Sequence, residues 1–538
     1  MSFIDWIIVA FFLGTLVTIG YRFSHRNRNI DDYFVAGRAM PGWLVTIAAT
    51  GTSISAGTFV GSPELGFNTN LTYVLNLAGA IIGGCIVAAL ILPKLYRSQT
   101  ITIYGFIGRR FGRKAKEANS LMFLVGQLFT SGSRLFIAAI AVSVILFGSI
   151  HFRFLIFSII ILGVISTIYT MMGGIKGLLY IDAFQTLLFI FTGLVALALI
   201  YRAIDLPLSD IWHTLTDGGM VRTSGAFATL NADATLTGWE SGNKLRIFDP
   251  SFRFDLPYTM IGGLLGVAFF KIAQYTTDHE FVQRQLACKD LSKASSSLIM
   301  SQVLSLPVVL IFLSIGLLFY AMYRHDPTSA AFIDRDGTMS SFFTDARDIF
   351  PQYIKNHIPT GLRGLMIVGL LAAALSSFNS AINAMASSFV SDLYLPFCAR
   401  RGRSISNASD QLVSSRRVVF GMGMLLTGFA IVTAVMQQSC GLNLVDFAMG
   451  IMCFAYTGMI GVFLTAIFSR RGNTRSVIAA LVAGALITLP LMFQKELFGT
   501  VSIAWTWWCP IGGLCSTLIC LSGSPESAKQ LSENEATQ

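Results

Sequence analysis

Apolar residues fill most of this chain in long runs that short polar segments separate. Each run has about 20 residues or more, which is enough for a helix to cross the hydrocarbon of a bilayer. The runs are too long for strands and too apolar for the one buried stripe of a soluble helix. The pattern therefore predicts thirteen membrane-spanning helices, at residues 3 to 22, 43 to 66, 71 to 96, 119 to 148, 154 to 172, 177 to 203, 257 to 276, 296 to 323, 361 to 390, 417 to 438, 443 to 468, 476 to 495 and 501 to 521.

The composition supports the same fold class, an all-α integral membrane protein. Of the 538 residues, 54% are hydrophobic and only 12% are charged, so a soluble globule would expose large apolar surfaces. The chain has neither a P-loop nor a nucleophile elbow, and no two histidines share a helix face at metal-binding spacing. We therefore expect neither an enzyme nor ATP-driven transport. The six histidines are His25, His151, His213, His279, His325 and His357.

Lys and Arg residues indicate the side of the membrane on which each loop lies, because basic loops stay in the cytoplasm. Basic clusters follow the first, third, ninth and eleventh spans, which predicts an outside N-terminus and a cytoplasmic C-terminus in a bacterial inner membrane or plasma membrane. A basic face against anionic lipid accounts for the formal charge of +10, and we expect no nucleic-acid partner. The first span lacks a positive leader and a cleavage site, which predicts a retained anchor.

A strip of small polar residues runs along one face of the ninth span. Its members follow each other at intervals of four, three, four and four residues, so they share a helix face. Polar groups facing lipid are costly, so this face must border a protein interior or a watery cavity. Hydroxyl and carbonyl oxygens are the ligands that alkali cations accept, and the strip indicates an ion-coupled transporter. The strip consists of Ser376, Ser380, Asn383, Ser387 and Ser391.

Glycine and small polar residues interrupt the second and the seventh spans. The second contains Gly51, Gly57 and Gly61 among Ser and Thr residues, and the seventh contains Gly262, Gly263 and Gly266. Two interrupted spans five positions apart are the pattern of inverted five-helix repeats that each begin with a broken helix. A broken helix frees carbonyl and amide groups in mid-membrane, where they can hold ions and solute.

Three of the charged residues inside predicted spans are candidates for a functional role, because charges there are expensive and usually functional. Asp182 is either a functional carboxylate, the stabiliser of its own helix start, or the partner of a gating arginine. Arg134 offers a guanidinium fork that grips a carboxylate, or else it snorkels or pairs with a protein carboxylate such as Asp182. Lys271 either adds a second positive charge to a pocket or snorkels.

Four stretches resemble motifs of the sodium:solute symporter (SSS) family, in the family's order. The first is Asp32-Tyr33-Phe34-Val35-Ala36-Gly37-Arg38, which resembles its Asp-Tyr/Phe-Phe-x-Ala-Gly-Arg signature. The resemblance covers residues 5 to 470 and is based on the combination of the four motifs. The other three are Gly173 to Gly177 with Asp182 and Gln185; Thr277-Asp278-His279 with Gln283-Arg284; and Ala373-Ala374-Leu375-Ser376-Ser377.

The resemblance implies a LeuT-type core of two inverted five-helix repeats, with one helix before it and two after it. It places the main sodium site between the first broken helix and the eighth core helix. A second sodium ion is implied where an aspartate meets two serines, but this chain has Asn379 at one of those positions. The implied residues are Gly51, Ile54, Ala373, Ser376 and Ser377 for the main site, and Asp182, Asn379 and Ser380 for the second.

For the solute, Arg134 resembles the arginine that family members carrying acidic solutes such as sialic acids place in the cavity. Sugar carriers have a glutamine where this chain has Thr58 and a glutamate where it has Leu77, which weakens a galactose-like site. We expect a solute pocket with a small polar lining and positive charge. Its predicted residues are Ser53, Ser55, Thr58, Tyr73, Arg134 and Lys271.

Together these features predict a sodium-driven symporter that imports a small organic solute, favouring a carboxylate, by alternating access. A neutral sugar or amino acid is the first alternative, and a membrane sensor that does not transport is a weaker one. The predicted organisation is an extra N-terminal helix (3–22), a first repeat (43–203), an extracellular loop (204–256), a second repeat (257–468), two C-terminal helices (469–522) and a disordered cytoplasmic tail (523–538).

Overall fold

A computed structural model describes residues 2–24, 29–149, 151–217, 219–222, 239–325, 349–402, 407–440, 444–494, 497, 499 and 503–525. Its membrane part is helical, as the hydropathy pattern predicts. Within the described residues, nine helices are long and apolar enough to span a membrane, and one bent pair adds a tenth span. The predicted cytoplasmic tail lies almost wholly outside the described residues.

The first half of the chain forms ten helices, several of them joined without a loop. A π-helical turn at Val87–Ile91 makes α5 and α6 one continuous rod. The bounds are α1 (Phe3–Ser24), α2 (Ile30–Val35), α3 (Gly42–Ser53), α4 (Ala56–Asn68), α5 (Val74–Ile86), α6 (Leu92–Arg97), α7 (Ile103–Phe111), α8 (Arg113–Phe147), α9 (Phe152–Ile204) and α10 (Leu208–Thr216).

The second half also consists of helices, and a π-helical turn at Phe389–Tyr394 joins α15 to α16. Another π-helical turn, Gly262–Gly266, leads into α11. The bounds are α11 (Val267–Thr277), α12 (His279–Leu286), α13 (Leu291–His325), α14 (Ile349–His357), α15 (Leu362–Ser388), α16 (Leu395–Arg400), α17 (Ala408–Cys440), α18 (Leu444–Phe468), α19 (Thr474–Met492) and α20 (Trp505–Leu521).

The fifth and sixth predicted spans both lie within the 53 residues of α9, which a break at Gly174 divides. Gly174 has φ 58° and ψ −175°. This conformation is strained for a residue that has a side chain, but glycine adopts it readily. The two halves of α9 therefore run in separate directions while the chain continues without a loop. The second half carries Asp182 towards the centre of the protein.

The interruption expected in the seventh span takes a different form from the one predicted. Its three glycines form the π-helical turn Gly262–Gly266, and the helix continues through to Thr277. The chain leaves helical geometry only at Asp278, whose side chain caps α12 by accepting from the Glu280 N–H. A Cβ at Gly263 would lie 2.6 Å from Leu75 Cβ of α5, and a Cβ at Gly266 would lie 2.8 Å from the Thr506 carbonyl oxygen of α20. These glycines therefore serve close packing against two neighbouring helices rather than a sharp bend.

Helix α15, which carries the strip of small polar residues, lies at the centre of the bundle. It packs against α9, α8, α1 and α17, so the strip faces protein on every side, as predicted. Four members of the strip are buried, and Ser391, at its C-terminal end, is half-buried. At the other end, Asp5 of α1 accepts hydrogen bonds from the N–H groups of Gly361 (2.8 Å) and Gly364 (3.0 Å). This carboxylate satisfies free amides at the start of α15 and fixes its position.

The segment between α9 and α11 contains two short paired strands that the hydropathy pattern does not predict. Strands β1 (Met220–Arg222) and β2 (Trp239–Ser241) pair antiparallel. Just beyond β2, buried Lys244 donates to the carbonyl oxygens of Phe67 and Thr69 (2.7 Å), at the end of α4. Burial lowers the pKa of the Lys244 ammonium well below its usual value. This segment thereby holds the C-terminal end of α4, the second helix of the bent pair.

Candidate functional site

The bent pair α3 and α4 forms the centre of the candidate site. The two helices meet at an angle of 57°, and Ile54 between them is extended, with φ −96° and ψ 129°. The last helical bond of α3 runs from the Ile54 N–H to the Thr50 carbonyl (2.9 Å). Among the described residues, no backbone N–H returns to the carbonyls of Gly51, Thr52 and Ser53. The break therefore frees polar oxygens in mid-membrane.

A small cavity lies beside this break, with room for about one water-sized molecule or ion. Four of the five residues predicted for the main sodium site line it, namely Gly51, Ile54, Ala373 and Ser376. The fifth, Ser377, is 1% exposed, and its hydroxyl makes no hydrogen bond within the described part of the chain. The structure thus brings the predicted set together from the bent pair and α15. Its other lining residues are Gln185, Thr186, Phe189 and Ala372.

Close packing between α3 and α9 sets the size of this cavity. A Cβ at Gly51 would lie 2.0 Å from the hydroxyl oxygen of Thr186, a distance that atoms do not tolerate. Thr186 is itself held by a 2.7 Å bond from its hydroxyl to the Asp182 carbonyl. Gly51 is therefore required for the approach of α9 to the broken helix.

The residues predicted for a second sodium ion also meet, but protein groups already engage their oxygens. The Asp182 carboxylate pairs with Arg284 (2.8 Å), both side chains being at most 1% exposed, and accepts from the Ser376 hydroxyl (2.8 Å). Arg284 also bonds the Ser380 hydroxyl. The amide oxygen of Asn379 accepts from Thr170 (2.9 Å). The alternative that Asp182 pairs with an arginine therefore holds in this structure.

A larger cavity lies on the other side of the break and has about 1030 Å³ of space, part of it open to solvent. All six residues predicted to bind solute line it. Sequence reasoning missed two glutamines in its wall, Gln274 and Gln302, whose amides add donors and acceptors. Aromatic rings supply apolar area, as in most small-molecule sites. These rings belong to Tyr73, Phe270, Phe281 and Trp505.

Arg134 reaches the larger cavity while already paired with a protein carboxylate. Its Nη1 donates to both oxygens of Glu280, at 3.1 and 3.0 Å, and Glu280 is fully buried. The guanidinium also lies over the ring of Phe281, 5.7 Å from its centre. Its other nitrogens make no hydrogen bond to the described residues. The sequence analysis gave Asp182 as an example of a carboxylate that could pair with Arg134, whereas the carboxylate that pairs with it in the structure is Glu280.

A hydrogen-bonded network surrounds the Glu280 end of the Arg134–Glu280 ion pair. Gln127 donates to Asp278 (2.8 Å) and to Glu280 (3.2 Å), and Tyr456 donates to the other oxygen of Asp278 (2.6 Å). Buried carboxylates need donors of this kind, because an unsolvated charge is costly. The network holds Glu280 in place against Arg134.

Lys271 is the second basic side chain that lines the larger cavity. Its ammonium donates to the amide oxygen of Gln274 (2.7 Å) and lies between the rings of Phe270 (5.7 Å) and Tyr275 (5.6 Å). No acidic side chain of the described residues forms an ion pair with it. Lys271 therefore lines the pocket instead of snorkelling to the membrane surface.

The chain forms a multi-pass helical bundle in which a broken helix lies between a small cavity and a larger one. This is the architecture of a secondary membrane transporter. The family model "Sodium:solute symporter family" matches residues 33–484. The chain therefore belongs to the sodium:solute symporter family, and it is a sodium-coupled transporter rather than an enzyme.

Several relatives share most of the chain's length. The chain is 24% identical over 497 residues to the sodium/sialic acid symporter SiaT of Proteus mirabilis, covering 92% of this chain and 91% of the relative. It is 24% identical to the sodium/sialic acid symporter NanT of Aliivibrio fischeri, covering 90% and 87%. It is also 24% identical to the sodium/glucose cotransporter 4 of Danio rerio, covering 92% and 72%.

Solved structures support the fold. The structure of a Na+-coupled sialic acid symporter in a substrate-bound outward-open state superposes with a TM-score of 0.76 at 21% identity, covering 97% of both chains. The nucleobase-cation-symport-1 family transporter Mhp1 superposes with a TM-score of 0.50 at 14% identity, covering 94% of this chain and 98% of the other. Both are membrane transporters.

Proposed function

We propose that this protein imports a small organic acid, such as a sialic acid, together with sodium, by alternating access. One observation carries the proposal: the two cavities border the same break in the bent pair, and Ile54 lines both. A cation in the small cavity would fix the end of α3 that also forms a wall of the larger cavity. Sodium and solute would then strengthen each other's binding by the same factor.

The main sodium ion would bind the oxygens of Gly51, Ile54, Ala373, Ser376 and Ser377. The site offers freed carbonyls and hydroxyls, which are hard neutral ligands suited to an alkali cation. The ion would join the broken helix to α15 and so stabilise one arrangement of the two. The unbonded hydroxyl of Ser377 supports this assignment, since buried polar atoms normally have a partner.

Replacing Ser377 with alanine is expected to raise the sodium concentration for half-maximal uptake, on the order of tenfold for the loss of one ligand worth about 1.4 kcal/mol. The measurement is uptake into proteoliposomes across a sodium series. Ser391→Ala, at the far end of the same strip, is the matched control. Unchanged sodium dependence in Ser377→Ala would remove this residue from the site.

A second sodium ion could bind at Asp182, Asn379 and Ser380 only if these residues exchanged their present protein partners for the ion. Arg284 occupies the space beside the carboxylate, so a sodium ion would have to replace the guanidinium as its partner. Asn379 would have to release the Thr170 hydroxyl. We therefore propose that the arrangement described here couples one sodium ion and that a second would bind only after α12 moves.

For the solute, Arg134 and Lys271 would bind an acidic group, with Ser53, Ser55, Thr58 and Tyr73 binding hydroxyl groups. The sialic acid symporters among the relatives support this choice of solute class. A neutral sugar or amino acid is the second candidate, because Glu280 already neutralises Arg134 and because glucose carriers are also relatives. In that case Lys271 alone would carry the pocket's excess charge.

The proposed membrane layout has thirteen spans, with a 5+5 inverted repeat at 43–203 and 257–468 and the remaining spans at 3–22 and 469–522. The helices described above supply a segment for every span once α9 is divided at Gly174 and α3 and α4 are taken together. Asp5 caps the start of α15, so α1 and α15 begin on the same side, as two odd-numbered spans should. We propose that this side is the outside.

Thermal unfolding of the detergent-purified protein tests the proposal directly. We expect stabilisation by sodium but not by potassium or choline, and a further increase when sialic acid is added with sodium. A ligand at 100 times its dissociation constant adds about 2.7 kcal/mol, which is readily detected. Stabilisation without sodium, or only by neutral sugars, would contradict the coupling or the acidic solute respectively.

A further inference from the structure

Gln185 is a buried amide on α9 whose two polar atoms meet no hydrogen-bond geometry with the described residues. The residue is 1% exposed, and its polar neighbour is the hydroxyl group of Tyr169, which could engage at most one of the two amide atoms. Buried polar groups are paired in the great majority of cases, because leaving one unpaired costs roughly 1 to 3 kcal/mol. A buried amide with at least one unpaired atom therefore indicates a ligand or a water molecule beside it.

The position of this side chain points to the ligand. Gln185 lines the small cavity beside the break, together with Gly51, Ile54, Ala373 and Ser376. Its helix approaches α3 closely at this point, since a Cβ on Gly51 would meet Thr186 at 2.0 Å. The amide oxygen is a hard neutral donor, of the same kind as the carbonyls and hydroxyls around it.

We infer that Gln185 contributes its amide oxygen to the main sodium site. The ion would then join three elements: the bent pair, α15 and α9. This inference rests on the proposed sodium-coupled function, and it adds a ligand from a helix that the sequence did not assign to this site. It also gives α9 a direct part in sensing sodium, separate from the Asp182–Arg284 pair one turn away.

The test compares Gln185→Leu with Gln185→Glu and measures the sodium dependence of thermal stability without any solute. Leucine has a similar volume but no oxygen, so we expect the sodium concentration for half-maximal stabilisation to rise on the order of tenfold. Glutamate keeps the oxygen, and we expect it to bind sodium at least as tightly as wild type. Gln494→Leu is the matched control, because Gln494 bonds only Ile503 near α20.

The outcomes separate this inference from the proposed function. If the wild type shows no sodium-dependent stabilisation, the proposed function fails before Gln185 is considered. If wild type and Gln185→Leu respond equally to sodium, the function stands and the inference is wrong, with water as the occupant of the cavity. Should Gln185→Leu fail to fold, Gln185→Met replaces it in the test. An equal rise in the sodium concentration for half-maximal stabilisation in Gln494→Leu would also overturn the inference.

Discussion

Replacing Arg134 with alanine is expected to abolish binding of carboxylate solutes. A guanidinium that donates to a carboxylate makes charge-assisted hydrogen bonds worth about 1.5 to 3 kcal/mol each, so two of them amount to a hundredfold or more in affinity. The measurement is sodium-dependent binding of sialic acid by calorimetry or by thermal shift. Arg134→Lys keeps the charge but loses the planar fork, and we expect it to recover only part of the affinity.

Glu280 complicates the single substitution, because removing Arg134 leaves a buried carboxylate without its cation. Breaking a buried ion pair from one side costs about 3 to 5 kcal/mol of stability, whatever the solute. The double variant Arg134→Gln with Glu280→Gln removes both charges, keeps the shape of residue 280 and leaves a shorter polar side chain at residue 134. We expect it to regain stability without regaining carboxylate binding. If the double variant binds carboxylates as wild type does, Arg134 has no part in solute recognition and the neutral-solute alternative gains support.

The membrane class, the family and the central helix could be predicted because each depends on a local pattern. Apolar runs identify spans, and residue spacing places the polar strip of α15 on one face. The cluster of Gly, Ser and Thr around Ile54 likewise predicted the break in the second span. The same kind of cluster in the seventh span forms a π-helical turn instead, and its glycines allow close packing against α5 and α20.

The pairing of charges could not be predicted, because it depends on which distant segments meet. Glu280 lies 146 residues from Arg134, and Arg284 lies 102 residues from Asp182. Glu280 and Arg284 both belong to α12, a short helix of mixed polarity that no hydropathy window marks as part of the core. In the structure this helix is buried along its whole length, with its charges paired to α8 and α9. A buried polar helix is recognisable only after the surrounding bundle is known.

Helix α12 also underlies the second prediction, a large loss of stability when Asp182 is replaced. Asp182→Asn is expected to lower the free energy of unfolding by about 3 to 5 kcal/mol even in choline, because Arg284 then keeps an unpaired buried charge. Chemical unfolding in detergent measures the loss. The double variant Asp182→Asn with Arg284→Gln carries no unpaired charge, and we expect it to recover most of the stability.

The double variant also decides whether Asp182 binds sodium. Ligand linkage relates the gain in stability per tenfold rise in sodium to the number of ions bound. If Arg284 is the only cation that this carboxylate binds, the gain in stability per tenfold rise in sodium is the same in the double variant as in wild type. A smaller gain would mean that a sodium ion is lost with Asp182, and the ion pair with Arg284 would then be one of two alternating states of that carboxylate. Movement of α12 away from α9 would in that case be part of the transport cycle.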